Sequence, residues 1–207
     1  MVITQPILLF LALGVLVFGV LSLKAKKTKS DKKVLVDPKI HAKLYDMMEK
    51  LDTVMRKNSI IYFIGFGTLL GAVREKAIIL WDDDADLCIE SSELEKLKTI
   101  NLTHLGLVLD YRDHIWRVNS INAEYPYIDL FEVEYDPKVE LLVFSEQANR
   151  ARWSDQKFGL KLTDVFPLKN YRLGKLVLRG PRNYDSILKK GYGDYMTPVY
   201  WKAHGGQ

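Results

Sequence analysis

Between residues 81 and 87 the chain reads Trp81-Asp82-Asp83-Asp84-Ala85-Asp86-Leu87, with Ile78-Ile79-Leu80 before it and Cys88-Ile89 after it. A fold that buries those apolar flanks must bring four carboxylates close to its core, where they repel one another unless a cation neutralises them. The block predicts a metal site at the end of a strand. Alternate side chains of an extended segment point the same way, so Asp84 and Asp86 share one face while Ala85 and Leu87 face the core. Asp82 has the same parity. Magnesium takes oxygen ligands, keeps several waters and is held by one or two carboxylates with substrate phosphates, which suits an Asp-x-Asp strand end and a metal-bound nucleotide.

A third carboxylate comes from Tyr127-Ile128-Asp129-Leu130-Phe131, an acid inside a strand-like apolar run. Three aspartates on neighbouring strands can hold two metal ions about 4 Å apart, one at the attacking oxygen and one at the leaving group. Asp129 is also a candidate to take the acceptor's proton. Upstream, Ser59 to Phe63 reads as a strand running into Gly67-Thr68, and a short helix from about Thr68 aims free N–H groups at a phosphate. A strand through His114, Trp116 and Arg117 either brings Arg117 or His114 near the donor or leaves both on the surface with Trp116 in the core.

Met1 to Leu23 carries no charge, and Pro6 to Leu23 is nearly continuous in apolar and small residues. About 20 such residues span a bilayer as a helix. The stretch lacks the basic n-region and the small-x-small cleavage site of a secretory signal. The expectation is a transmembrane anchor over residues 1–23, a basic linker over 24–36 and one catalytic domain over 37–207. Six lysines and one aspartate between Lys24 and Lys33 give +5 of the formal +4, leaving −1 for the remainder. That balance argues against a basic nucleic-acid groove, so no nucleic-acid partner is expected. The lysine run suits anionic headgroups or a solvated linker. The 207 residues, 48% of them hydrophobic, can bury one substantial core. The single cysteine, Cys88, reads as a small core residue.

Apolar spacing predicts a helix over Pro38 to Met55 and another over Ser91 to Leu97, capped by Ser91 or Ser92. Leu105 to Tyr111, His114 to Ile121, Tyr125 to Tyr135 and Val139 to Phe144 read as strands. Tyr171 to Arg179, interrupted at Gly174, reads as a hairpin, and Pro181 to Lys190 as a helix ending at Gly191.

The strings GTLLGAVREKAIILWDDDADL at 67–87, YIDLF at 127–131 and YGDYMTP at 192–198 follow one another in an order that resembles the LicD and fukutin group of the nucleotidyltransferase superfamily. The resemblance runs from about Leu44 to His204. It implies an α/β (α+β) fold, a palm-like mixed sheet flanked by helices, here preceded by the N-terminal transmembrane helix. The implied activity moves a phospho-alcohol such as phosphocholine or ribitol phosphate from a CDP-activated donor to a glycan or glycolipid hydroxyl, with Mg2+ or Mn2+. Asp84 and Asp86 match the metal-binding pair and Asp129 the third carboxylate, all three also catalytic. Gly67 and Thr68 match the turn that receives the donor phosphates, and Asp82 the leading acid. Arg74 stands where the family commonly has arginine, whose fork suits a pyrophosphate. Arg117 is a donor-side candidate. Tyr192, Gly193 and Asp194, with Tyr195 and His204, match the closing motif, which shapes the donor pocket or packs and caps.

Three features depart from the pattern. Ala85 stands in place of a larger aliphatic, Val199 follows Pro198 in place of a second proline, and a single cysteine excludes the cysteine-rich zinc site of the fukutin-related branch. Without a serine or cysteine nucleophile beside a base, direct attack by the acceptor hydroxyl fits best. Transfer of a nucleoside monophosphate, or an inactive membrane-tethered module that binds glycans or nucleotides, stays open. The fukutin-like relatives resemble luminal Golgi enzymes, which implies a Golgi or endoplasmic reticulum membrane for the single-pass protein that hydropathy binds to the bilayer through residues 1–23. Lysines after the anchor favour a cytoplasmic domain instead, so the side stays open. Asn101-Leu102-Thr103 is a glycosylation acceptor that matters only for a luminal domain.

Overall fold

The computed structural model describes residues 35–198. Asp37 opens helix α1 (Pro38–Lys57) by accepting a hydrogen bond from the Lys39 N–H at 2.9 Å, with Pro38 in the first turn where its missing N–H costs nothing. Leu44, Met47, Met48, Leu51, Val54 and Met55 form its buried stripe. Ion pairs Asp46–Lys50 and Asp52–Arg56, each one turn apart, lie outside that stripe. Strand β1 (Tyr62–Ile64) leads into α2 (Phe66–Arg74), followed by β2 (Ala85–Glu90) and α3 (Ser91–Lys98). A meander then comprises β3 (Leu107–Arg112), β4 (Ile115–Ser120), the long β5 (Ala123–Asp136) and β6 (Leu141–Phe144). Three short helices, α4 (Gln147–Arg152), α5 (Asp155–Phe158) and α6 (Leu162–Val165), precede the hairpin of β7 (Lys169–Leu173) and β8 (Leu176–Gly180). Helix α7 (Tyr184–Tyr192) follows.

The main sheet has the order β1-β2-β5-β4-β3, with β6 beside the far half of β5. Only β2 and β5 run parallel within it. Alternation divides the sheet into two faces. Tyr62, Ile64, Leu87, Ile89, Val118, Ile128 and Leu130 enter the core shared with α1. Phe63, Cys88, Ile115, Phe131 and Val133 enter a second core with Phe144 and Val165. Asp86 and Asp129 have the parity of Cys88 and Phe131, so the acids belong to this second face.

The mixed α/β sheet flanked by helices agrees with the sequence reading, and the transmembrane part of that reading is corrected. Among the described residues no helix is long and apolar enough to cross a membrane. The longest, α1, has twenty residues, but its charged side chains suit a helix lying half against a core. The span expected at 1–23 lies outside the described residues, as does the lysine run and His204. The membrane-anchored function, the bilayer partner and the single-pass Golgi or endoplasmic reticulum placement are withdrawn with it.

Local differences have local causes. Helix α3 starts directly from β2 with Glu90 at its cap and no capping side chain, while the Ser91 hydroxyl meets that of Ser145 at 3.0 Å. Residues 181–183 are not helical: the Arg182 and Asn183 N–H groups donate to the carbonyls of Val165 and Asp164. Helix α7 consequently begins later, at the Asn183 cap, and runs through Gly191 to stop at Gly193, whose φ of 66° ends it.

Candidate active site

The parallel pairing of β2 with β5 sets Asp86 directly beside Asp129, and the antiparallel pairing of β5 with β4 sets Arg117 beside Asp129. Asp110 of β3 lies opposite Arg117. A row of charged positions, Asp86, Asp129, Arg117 and Asp110, thus crosses four strands at one level. Asp84, just ahead of β2, joins it: one carboxylate oxygen from each of Asp84, Asp86 and Asp129 lies within 4.8 Å of the others. All three acids are buried. Asp82, Asp83 and Asp84 form a second such group.

Helix α2 fastens this cluster. The Gly67 N–H donates to Asp86 Oδ2 at 2.8 Å, and the Asp86 N–H donates to Thr68 Oγ1 at 2.7 Å. Gly67 permits the approach, since a Cβ there would lie 2.6 Å from Asp82 Oδ2 and 3.2 Å from Asp86 Oδ2. Phe66 enters the helix with φ of 39°, a left-handed conformation uncommon for a bulky residue, and its ring is held 4.5 Å from that of Phe131.

Burial, followed by repulsion from Asp84, Asp82 and Asp129, holds the Asp86 carboxyl well above the usual carboxylate range. Burial and the neighbouring Asp84 do the same to Asp82. Buried acids crowded in this way call for a positive charge. Oxygens this close can share one hard cation at metal–oxygen distances of about 2.1 Å, so the residues fit a divalent ion.

Around the cluster, the Arg117 Nε–H donates to Asp129 Oδ1 at 2.8 Å, and Arg117 Nη1 lies 3.4 Å from Asp113 Oδ2. The guanidinium sits over the Tyr127 ring, 4.5 Å from its centroid. Tyr125 is hydrogen-bonded to Asp83, and burial together with Asp83 pushes its phenol up to about 12. His41 Nε2 meets the Asp82 carbonyl at 2.8 Å, tying α1 to the acidic loop. Tyr192, 41% exposed at the end of α7, lies within electrostatic reach of Asp86, Asp82 and Asp84.

The other candidates lie elsewhere. Arg74 sits at the far end of α2 from Gly67, about 10 Å along the axis. Its guanidinium donates to Glu75 Oε1 at 2.8 Å and to the Tyr195 carbonyl at 3.2 Å. Gly193 forms the cap of α7, and the Asp194 carboxylate accepts from Thr197 Oγ1 at 2.6 Å. His114 is exposed in the β3–β4 turn, 3.7 Å from Glu146. Cys88 is buried, its thiol raised chiefly by burial. Sequence reasoning missed Tyr125, Tyr127 and His41. Alternation back from Asp129 puts both tyrosines on its face, a signal that was present, whereas nothing local to His41 marks a contact 41 residues away.

Residues 59–183 match the model of the family described as LicD/FKTN/FKRP, nucleotidyltransferase domain. An uncharacterized protein of Rickettsia prowazekii (strain Madrid E) is 28% identical over 166 residues, 79% of this chain and 59% of its own length. The ribitol 5-phosphate transferase FKRP of Mus musculus is 25% identical over 169 residues, 74% of this chain and 33% of its own. The chain thus spans less than two thirds of either relative. A solved lincosamide antibiotic adenylyltransferase, LnuA with lincomycin bound, aligns at a TM-score of 0.42 and 8% identity, covering 72% of this chain and 96% of that one. So slight a likeness carries no argument. The match to the family model takes in more than half of the residues, with Gly67, the acidic block and Asp129 inside it, and the chain belongs to the LicD/FKTN/FKRP nucleotidyltransferase domain family, whose enzymatic fold it has.

Proposed function

We propose that this chain is a divalent-metal-dependent transferase that moves a phosphorylated alcohol from a CDP-activated donor to an acceptor hydroxyl. The observation that carries the reading is the convergence of Asp84, Asp86 and Asp129 within 4.8 Å beside the N-terminus of α2. Two relatives are named ribitol 5-phosphate transferases, which makes CDP-ribitol the first donor to try.

Asp84, Asp86 and Asp129 would hold Mg2+ or Mn2+, which when bound would neutralise the donor phosphates and the acids together. Gly67 and Thr68 hold Asp86 in place and set the positive end of α2 beside the donor. Asp82 adds charge to the same loop, and Tyr192 covers the donor flank. Asp129 takes the proton of the acceptor hydroxyl. The acceptor oxygen then bonds to the alcohol-side phosphorus, the pyrophosphate bridge breaks at that phosphorus, and CMP leaves with the bridging oxygen. Arg74 supports this flank by bracing α2 against the segment after α7 through the Tyr195 carbonyl.

Incubating the full chain with CDP-ribitol, Mn2+ and a panel of glycosides tests the reading. The expected products are CMP and a ribitol-phosphorylated glycoside, both lost in EDTA. Products carrying CMP, with ribitol phosphate released, would overturn it in favour of nucleotidyl transfer.

A further inference from the structure

The carboxylate row has two unlike flanks. On the Asp86 side stand the N-terminus of α2 and the Gly67 N–H. On the Asp129 side stand Arg117, Tyr127 and the turn between β3 and β4. In-line displacement needs the entering and leaving oxygens on opposite sides of the phosphorus. A pyrophosphate is favoured beside a helix N-terminus, which leaves the Asp129 flank to the entering hydroxyl.

We propose that Arg117, Tyr127 and Asp113 form the acceptor wall of this site and that the wall selects an uncharged polyhydroxylated acceptor over a phosphorylated one. This rests on the transferase reading above and specifies which residues meet the second substrate.

The groups on the wall suit hydroxyls. Arg117 presents guanidinium N–H donors, fixed between Asp129, Asp113 and the Tyr127 ring. Asp113 is 78% exposed at a two-residue turn with positive φ at both Asp113 and His114, so its carboxylate, paired with Arg117 through Oδ2, still faces solvent at the lip with lone pairs to spare. Tyr127 is half-buried and adds a flat ring with a hydroxyl at its end. Vicinal hydroxyls both donate and accept, and this set offers partners for each direction.

Charge sets the selection. Arg112 is paired with Asp110 and, at 2.8 Å, with Glu124; Arg117 is paired with Asp129 and Asp113. Four carboxylates therefore face two guanidiniums, three once Asp129 is given to the metal, and each guanidinium already has two anionic partners. A phosphate arriving here meets excess negative charge with no unengaged cation among these groups, whereas a neutral sugar meets only hydrogen-bonding groups. Exposed charges are screened over about 10 Å at 0.1 M salt, so the selection is strongest at low ionic strength.

Saturation-transfer NMR on the full chain tests this, with Mg2+ and CMP present and methyl β-galactoside and galactose 6-phosphate as probes. The glycoside should bind in the millimolar range and the sugar phosphate at least tenfold more weakly at low salt, with the gap narrowing as salt is added. Tyr127→Ala and Asp113→Asn should each weaken the glycoside at least fivefold. Asp113 is exposed, so its variant tests the wall even where Tyr127→Ala folds poorly. Equal or tighter binding of the sugar phosphate, no glycoside binding, or glycoside binding indifferent to Asp113→Asn would overturn the proposal. Metal-dependent CMP binding, read in the same samples, reports on the donor reading separately.

Discussion

A single missing methyl group holds the acidic cluster open at Gly67. Gly67→Ala forces the Asp82 and Asp86 carboxylates aside, since the new carbon would fall 2.6 Å from one and 3.2 Å from the other. Calorimetric titration with Mn2+ should show affinity lowered at least tenfold; unaltered affinity would remove Gly67 from the site's geometry. Asp86 carries a second prediction. Its carboxyl is raised by burial and by neighbouring acids, so without metal it stabilises the fold fully only below the unfolded value near 4, and this contribution is lost as pH rises through the folded value. In EDTA at pH 7, Asp86→Asn should be more stable than the wild type, with the difference vanishing near pH 4. Asparagine still accepts from the Gly67 N–H, so urea midpoints across pH isolate the charge. Asp84, Asp86 and Asp129 were legible as a group because apolar neighbours on both sides force them inward. The pairing of Arg117 with Asp129 was not, because it depends on the register between two strands, which neither strand's composition encodes.

Elements with a full period of apolar residues were the readable ones. Helix α1 shows seven apolar positions over five turns, and its buried Leu51 should cost about 2–5 kcal/mol on replacement by alanine, measured by urea unfolding. Helices α4 to α6 have four to six residues each and are too short to display a period, so they went unread. The two-residue turn between β3 and β4 was also hidden, because Asp113-His114 lacks the Asn-Gly signature while both residues take positive φ. His114→Gly should remove the strain of the left-handed conformation and raise stability by about 1 kcal/mol, read from thermal unfolding. No gain would mean that His114 contributes compensating contacts.

At the scale of the molecule, β5 joins everything: it pairs with β2 and β4 through its middle and with β6 through its end, and places Asp129 where both flanks of the site meet. The strands and helices of the catalytic region were legible as a mixed sheet, but not the order β1-β2-β5-β4-β3, which brings Asp86, Asp110, Arg117 and Asp129 into one row. The bilayer expectation came from hydropathy alone; the described helices bury their apolar stripes in the two cores. One measurement reaches the transferase reading most directly: calorimetric binding of CDP to the full chain in Mn2+, in EDTA, and in Mn2+ with the Asp84→Asn, Asp86→Asn double variant. Binding in Mn2+ that disappears in EDTA and in the double variant is the expected result. Binding of CDP that survives both would contradict a site built on these carboxylates.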